Sequence, residues 1–176
     1  MGGNGGLLTM IRRFANGNIM TIGGLPSCTC CPELELEIMY DWRGTGMIDL
    51  DTGTSAFGEN VGYSCGFSGD YVVWLPGSGG IAQDDVSEDG FERVNVKVDQ
   101  ARLDSLWGAS VNIECAAGWY IPQEGSGSAL LVAAYKGVTK QVTISPGEQN
   151  FCASTPVATI TVYHSALPDG SFFEIL

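Results

Sequence analysis

The chain has 176 residues, enough for one domain with a single core and short for two. Its 25 glycines, 44% hydrophobic residues and 16% charged residues are unlike the composition of a helical bundle and typical of strands joined by glycine-containing turns. A net charge of −12 with only eight Lys and Arg residues argues against nucleic acid or an anionic membrane surface as a partner, and no run of about 18 apolar residues predicts a membrane span.

Residues 1–32 differ from the rest of the chain in charge and composition. The first 27 residues hold seven glycines, no Asp or Glu, and the cations Arg12 and Arg13, whereas residues 33–176 hold the other six cations and all 20 acids. We therefore predict an extended, Gly-rich N-terminal arm at 1–32 and a separate domain at 33–176. Residues predicted to bind a partner are Leu7, Leu8, Met10, Ile11, Arg12, Arg13 and Phe14. The alternative is that the arm packs on its own domain.

The arm also has some features of an export signal. Arg12 and Arg13 precede a partly apolar stretch that ends in Leu-Pro-Ser-Cys at residues 25–28, a faint likeness to a lipoprotein signal. Residues 16–18, Asn-Gly-Asn, interrupt the apolar segment that such a signal needs. The sequence thus favours a retained arm and leaves export as the alternative.

From residue 34 onward the sequence alternates apolar and polar residues in short runs. Leu36, Ile38 and Tyr40 share one face of the first run, and Val94 and Val96 share one face of the clearest run. Strands are predicted at 34–40, 47–54, 70–75, 91–98, 111–115, 118–122, 129–135, 138–144, 157–163 and 171–176, with a loop at 56–69 and one or two helical turns at 99–107. This pattern predicts an all-β fold, an antiparallel β-sandwich of jelly-roll or Greek-key type.

Two acidic segments are candidates for a cation site. Asp49 and Asp51 point to the same side of a predicted strand, and Asp41 can approach them across a turn, so these three residues are predicted as Ca²⁺ ligands. Capping of turns by the Asp side chains is the alternative. The second-choice cation site is the acidic loop at residues 84–92, which carries Asp84, Asp85, Glu88, Asp89 and Glu92.

Six cysteines leave their chemistry open. They are Cys28, Cys30, Cys31, Cys65, Cys115 and Cys152. An even number suits disulfides, single cysteines in strands suit buried free thiols, and a zinc site at Cys28, Cys30, Cys31 and Cys65 lacks the second cysteine pair that structural zinc sites usually have. Spacing alone cannot fix their connectivity.

The sequence contains no recognisable catalytic constellation. His164 is the single histidine, and no glycine-rich segment has the Lys-Ser/Thr of a phosphate-binding loop. Seven aromatic residues are candidates for a sugar-stacking platform: Trp42, Trp74, Trp107, Trp119, Tyr63, Phe67 and Tyr120. For Trp74 and Trp107 a place in the core is favoured.

By elimination, the sequence favours a non-enzymatic structural protein of a larger assembly. The expected setting is a bacteriophage virion, as a capsid decoration, minor capsid or tail-surface protein. The arm would dock on other protein subunits, either copies of this chain or a capsid or tail protein. The alternative is a secreted or surface-anchored adhesion module, extracellular or at the cell surface, that binds carbohydrate with or without Ca²⁺. Apart from Ca²⁺, no cofactor is predicted.

Overall fold

The computed structural model describes residues 10–13, 19–22, 35–63, 65–66, 69–77, 84–98, 110–120, 127–148 and 156–176. The chain divides into two units, Met1–Pro32 and Glu33–Leu176. Within the described residues no helix reaches the length and hydropathy needed to cross a bilayer.

The described part of the first unit is a β-hairpin. Strand β1 (Met10–Arg13) pairs with β2 (Ile19–Ile22) in antiparallel register, with Met10 opposite Ile22 and Arg13 opposite Ile19. Four of the predicted partner-binding residues, Met10 to Arg13, are therefore on β1. The other three, Leu7, Leu8 and Phe14, lie outside the described residues.

The second unit contains two sheets. Its strands are β3 (Glu35–Asp41), β4 (Leu50–Ala56), β5 (Glu59–Gly62), β6 (Val72–Leu75), β7 (Phe91–Lys97), β8 (Ser110–Trp119), β9 (Ala129–Tyr135), β10 (Val138–Ile144), β11 (Gly147–Glu148), β12 (Ala158–Tyr163) and β13 (Phe173–Ile175). One sheet has the order β10-β9-β3-β7-β6, and the other has the order β13-β12-β8-β4-β5, with the short β11 added in parallel to β8. All other pairings are antiparallel, and the predicted all-β antiparallel sandwich is confirmed.

The core lies between the inward faces of these sheets, as period-two alternation requires. Leu36, Ile38 and Tyr40 on β3 are fully buried, while Glu35 and Glu37, on the opposite face, are exposed. The same alternation places the valines of β7 inward. Each buried aliphatic or aromatic side chain contributes about 1.5–3 kcal/mol relative to an exposed one, so the pattern fixes which face each strand turns inward.

A polar contact joins the two sheets through the core. The Tyr40 hydroxyl on β3 donates to the Gly53 carbonyl of β4 (3.1 Å) and shares a hydrogen bond of 2.8 Å with Thr54 Oγ1. Burial raises the pKa of Tyr40 well above its usual value, so the hydroxyl stays a neutral donor. This contact sets β3 over β4.

The structure differs from the prediction at two places, and a third predicted element lies outside the described residues. Residues 111–115 and 118–122 were predicted as separate strands, but one strand of ten residues, β8, runs through Ala116 and Ala117, because these small residues continue the ladder with β4. Part of the predicted loop at 56–69 forms β5. The predicted helical turns at 99–107 lie outside the described residues.

Candidate cation site

Two connections meet at one end of the sandwich. One leads from β3 into β4, and the other, residues 84–90, leads into β7. Their backbones are joined by hydrogen bonds from Trp42 N to the Gly90 carbonyl (3.1 Å) and from Asp89 N to the Met47 carbonyl (3.1 Å), and by an isolated bridge between Ile48 and Glu88. The two acidic segments identified in the sequence therefore lie side by side.

This junction brings three carboxylates together. Asp49 precedes β4, Asp51 lies on β4, and Asp84 lies on the other connection. One carboxylate oxygen from each lies within 4.8 Å of the others. Three like charges this close repel one another strongly unless a proton or a cation intervenes.

Asp49 is the most constrained member of the cluster. Its side chain is only 8% exposed, and its backbone has a left-handed φ of 60°. The Asp49 carbonyl accepts a hydrogen bond from Tyr120 N at the end of β8 (3.0 Å). Within the part of the chain that the structure describes, no hydrogen-bond donor reaches its buried Oδ1 atom or Oδ1 of the half-buried Asp84. The junction thus contains two buried carboxylate oxygens that lack a donor from the described residues.

The neighbouring acids Asp85 and Glu92 have donors. Glu92 is fully buried and accepts hydrogen bonds from Thr52 Oγ1 and from Asp85 N (3.2 Å). Asp85 accepts from Ser87 N (3.1 Å) and Phe91 N (3.2 Å). These two carboxylates therefore serve to hold the connection against β4 and β7.

Burial and like charge act on the pKa values of the cluster in the same direction. Desolvation, followed by the charges of Asp84 and Asp85, raises the pKa of Asp49. Desolvation also raises the pKa of Asp84, and it raises that of Glu92 well above the usual range. The charged neighbours that shift these three pKa values are all acids, so a positive charge in this space would be strongly favoured.

The structure brings together two of the three predicted ligands. Asp41 instead forms an ion pair with Arg43, whose Nη2 lies 2.6 Å from Asp41 Oδ2, and hydrogen bonding to Arg43 lowers the pKa of Asp41. Its position in the cluster is taken by Asp84, from the segment predicted as the second-choice site. Sequence signals identified both segments but did not indicate that they meet.

The cysteines divide between two states. Cys115 is a free thiol buried in the core, where desolvation raises its pKa to about 12. Cys65 is disulfide-bonded. The remaining cysteines, Cys28, Cys30, Cys31 and Cys152, lie outside the described residues.

The aromatic residues also divide. Trp42, Trp74 and Trp119 are at most 4% exposed and belong to the core, which confirms the preference for Trp74 and excludes these three from a sugar-stacking platform. Trp107 and Phe67 lie outside the described residues. Tyr120 is 47% exposed, and the pKa of Tyr63 is raised by desolvation, then by Asp51 and Tyr120, so both tyrosines border the carboxylate cluster.

No protein family, no curated protein and no solved structure matches this chain. The functional proposals therefore rest on the fold, on the charge distribution and on the geometry of the carboxylate cluster.

Proposed function

We propose that this protein is a non-enzymatic structural component of a larger assembly, a bacteriophage virion protein of the capsid-decoration, minor-capsid or tail-surface kind. The observation that carries the proposal is the division of the chain into a small basic unit and a large acidic one. Residues 1–32 have a net charge of +2 and residues 33–176 a net charge of −14. Opposite charge on two parts of one chain favours contact between subunits, because the arm of one copy is attracted to the domain of another.

The sandwich offers edges on which such an arm can dock. Strands β6 and β10 border one sheet, and β5 and β13 border the other. An added strand gains backbone hydrogen bonds along such an edge, and its alternate side chains supply specificity. In the arm, β1 carries both arginines beside apolar residues, so one element supplies both kinds of contact.

The proposal is tested by removing residues 1–27, which leaves all six cysteines in place. Light scattering coupled to size-exclusion chromatography measures the mass of the full chain and of the truncated chain. We expect the full chain to form a multi-subunit species and the truncated chain to be a monomer with the same melting temperature. A chain with residues 1–27 in scrambled order keeps the charge and should also fail to assemble.

Assembly of the truncated chain equal to that of the full chain would contradict docking through the arm. A full chain that is a monomer at every concentration would contradict self-assembly, and the virion role then depends on a different capsid or tail protein. Antibody labelling of phage particles in electron micrographs tests that role directly. Unlabelled particles from a phage that expresses the chain would refute it.

A second candidate is a secreted or surface-anchored adhesion module that binds carbohydrate with Ca²⁺. The observation that favours it is Tyr120, which is 47% exposed and whose backbone N donates to the Asp49 carbonyl of the cluster, since an exposed aromatic residue near a cation site suits a sugar ring and its hydroxyls. The disulfide at Cys65 is also typical of an oxidising compartment. Intact-mass analysis separates the candidates, because a chain shortened or lipidated near Cys28 supports export and a chain beginning at Met1 supports assembly.

A further inference from the structure

We propose that Asp49, Asp51 and Asp84 bind one Ca²⁺ ion, which fixes the connection at residues 84–90 to the start of β4. The inference gives the adhesion candidate its ion site. It concerns ion binding alone, so it holds equally if the chain assembles through its arm.

The acids at the junction differ in whether hydrogen-bond donors reach their carboxylate oxygens. Glu92 and Asp85 accept hydrogen bonds from Thr52, Ser87 and backbone N–H groups. Asp49 is also buried, at 8% exposure, and its Oδ1 has no donor among the residues that the structure describes. A buried carboxylate oxygen without a donor is costly, and hydrogen-bond donors are within reach of the other acids of the same junction. A cation bound jointly by Asp49, Asp51 and Asp84 would compensate this oxygen.

The spacing of the three carboxylate oxygens suits Ca²⁺. Ca²⁺ binds oxygens at about 2.3–2.6 Å, so two ligands of one ion can be up to about 5 Å apart. The three carboxylate oxygens lie within 4.8 Å of one another and meet this limit. Mg²⁺ binds oxygens at about 2.0–2.1 Å and would require all pairs to close to about 4 Å. The all-oxygen set also disfavours Zn²⁺, which prefers nitrogen and sulfur. The remaining coordination positions of Ca²⁺ are left for water or a ligand hydroxyl.

The three proposed ligands come from different parts of the chain. Asp51 belongs to β4, Asp49 is held to β8 through Tyr120 N, and Asp84 begins the other connection. An ion that binds all three joins segments that are more than 30 residues apart in sequence. Because this arrangement exists only in the folded chain, Ca²⁺ should stabilise the fold through binding.

The test measures melting temperature and binding heat for the full chain after chelator treatment and desalting. At a CaCl₂ concentration about 100 times the Kd, we expect the melting temperature to rise by about 5–10 °C. Equal MgCl₂ should give a clearly smaller rise. Isothermal titration calorimetry with CaCl₂ should show one site per chain.

Variants at the ligands and a matched control assign the site. Asp49→Asn and Asp84→Asn should each lower Ca²⁺ affinity at least tenfold and remove most of the melting-temperature rise. In chelator, the same variants should melt at or above the wild-type temperature, because each removes one of the mutually repelling charges. Asp41→Asn, which acts on the Arg43 ion pair, should keep the full response to Ca²⁺.

An unchanged melting temperature and no binding heat with CaCl₂ would overturn the proposal. A Ca²⁺ response that survives in Asp49→Asn, or that is lost in Asp41→Asn, would overturn the assignment of the ligands. An equal response to Mg²⁺ would overturn the preference for Ca²⁺. None of these results alters the light-scattering test of assembly, so a failure of this inference is distinguishable from a failure of the proposed function.

Discussion

Glu59 is expected to stabilise the passage of the chain from β5 in one sheet to β6 in the other. Its Oε1 accepts a hydrogen bond from Asp70 N (2.9 Å), and its Oε2 accepts from Tyr71 N (2.9 Å) and Val72 N (2.8 Å). A hydrogen bond to a charged group contributes about 1.5–3 kcal/mol when buried, and these are partly exposed. We therefore expect Glu59→Ala to lower the free energy of unfolding by about 2–4 kcal/mol.

Gly69 provides an independent approach to the same contact. A Cβ at Gly69 would lie 2.1 Å from Glu59 Oε2, so Gly69→Ala must displace the carboxylate from its three donors. We expect Gly69→Ala to cost about 2 kcal/mol in the wild-type chain and close to zero in the Glu59→Ala chain. The two substitutions should thus be strongly non-additive.

Urea denaturation followed by fluorescence and circular dichroism measures the four members of this double-mutant cycle. Glu37→Ala is the matched control, because Glu37 is an exposed acid on β3 and its replacement should change stability by about 0.5 kcal/mol or less. Additive costs for Glu59→Ala and Gly69→Ala, or a Glu59→Ala cost no larger than that of the control, would refute the reasoning.

Two further predictions concern the core. Gly62→Ala should destabilise the chain by about 3 kcal/mol or more, since Gly62 has a φ of 147° and a Cβ would lie 2.0 Å from the Thr52 carbonyl oxygen. Gly147→Ala is the control: its Cβ would lie in open space, so it should be nearly neutral in the same urea titration. Cys115, with a pKa of about 12, should resist iodoacetamide at pH 9 in the folded chain and react in urea, as peptide mass spectrometry can show. Because the unfolded thiol ionises first, its contribution to stability should fall as pH rises from about 9 to 12, and alkylation of Cys115 without urea would contradict this.

Much of the fold was predictable from the sequence because its strands lie on the boundary between core and solvent. Alternation in β3 and β7 reports burial directly, and the structure confirms both inward faces. β5 was missed because three of its four residues, Glu59, Asn60 and Gly62, have low β-propensity, and its position is fixed by pairing with β4. Long-range pairing of this kind leaves no local signal.

The candidate site was predictable only in part, for the same reason. Period two predicts that Asp49 and Asp51 point to the same side of a strand. In the structure Asp49 precedes β4 with a left-handed φ of 60°, and its carboxylate lies within 4.8 Å of that of Asp51. Asp84 is separated from them by more than 30 residues, and its approach depends on the bridge of Ile48 with Glu88. Asp41 is not part of the cluster because it pairs with Arg43, two residues away. The Arg43 guanidinium binds both carboxylate oxygens of Asp41, and a metal ion would have to displace it.

The distribution of positive charge explains why a metal ion suits this end of the sandwich. Elsewhere the chain pairs acids with its few cations: Arg43 with Asp41, and Lys140 with Asp169, whose pKa is lowered by Ser171 and by Lys140. Asp49 and Asp84 each have a buried Oδ1 atom without a donor among the described residues, so leaving them without countercharge is costly. A bound ion would supply the countercharge that Asp49 and Asp84 lack, whereas Glu92 beside them is compensated by Thr52 and Asp85 N.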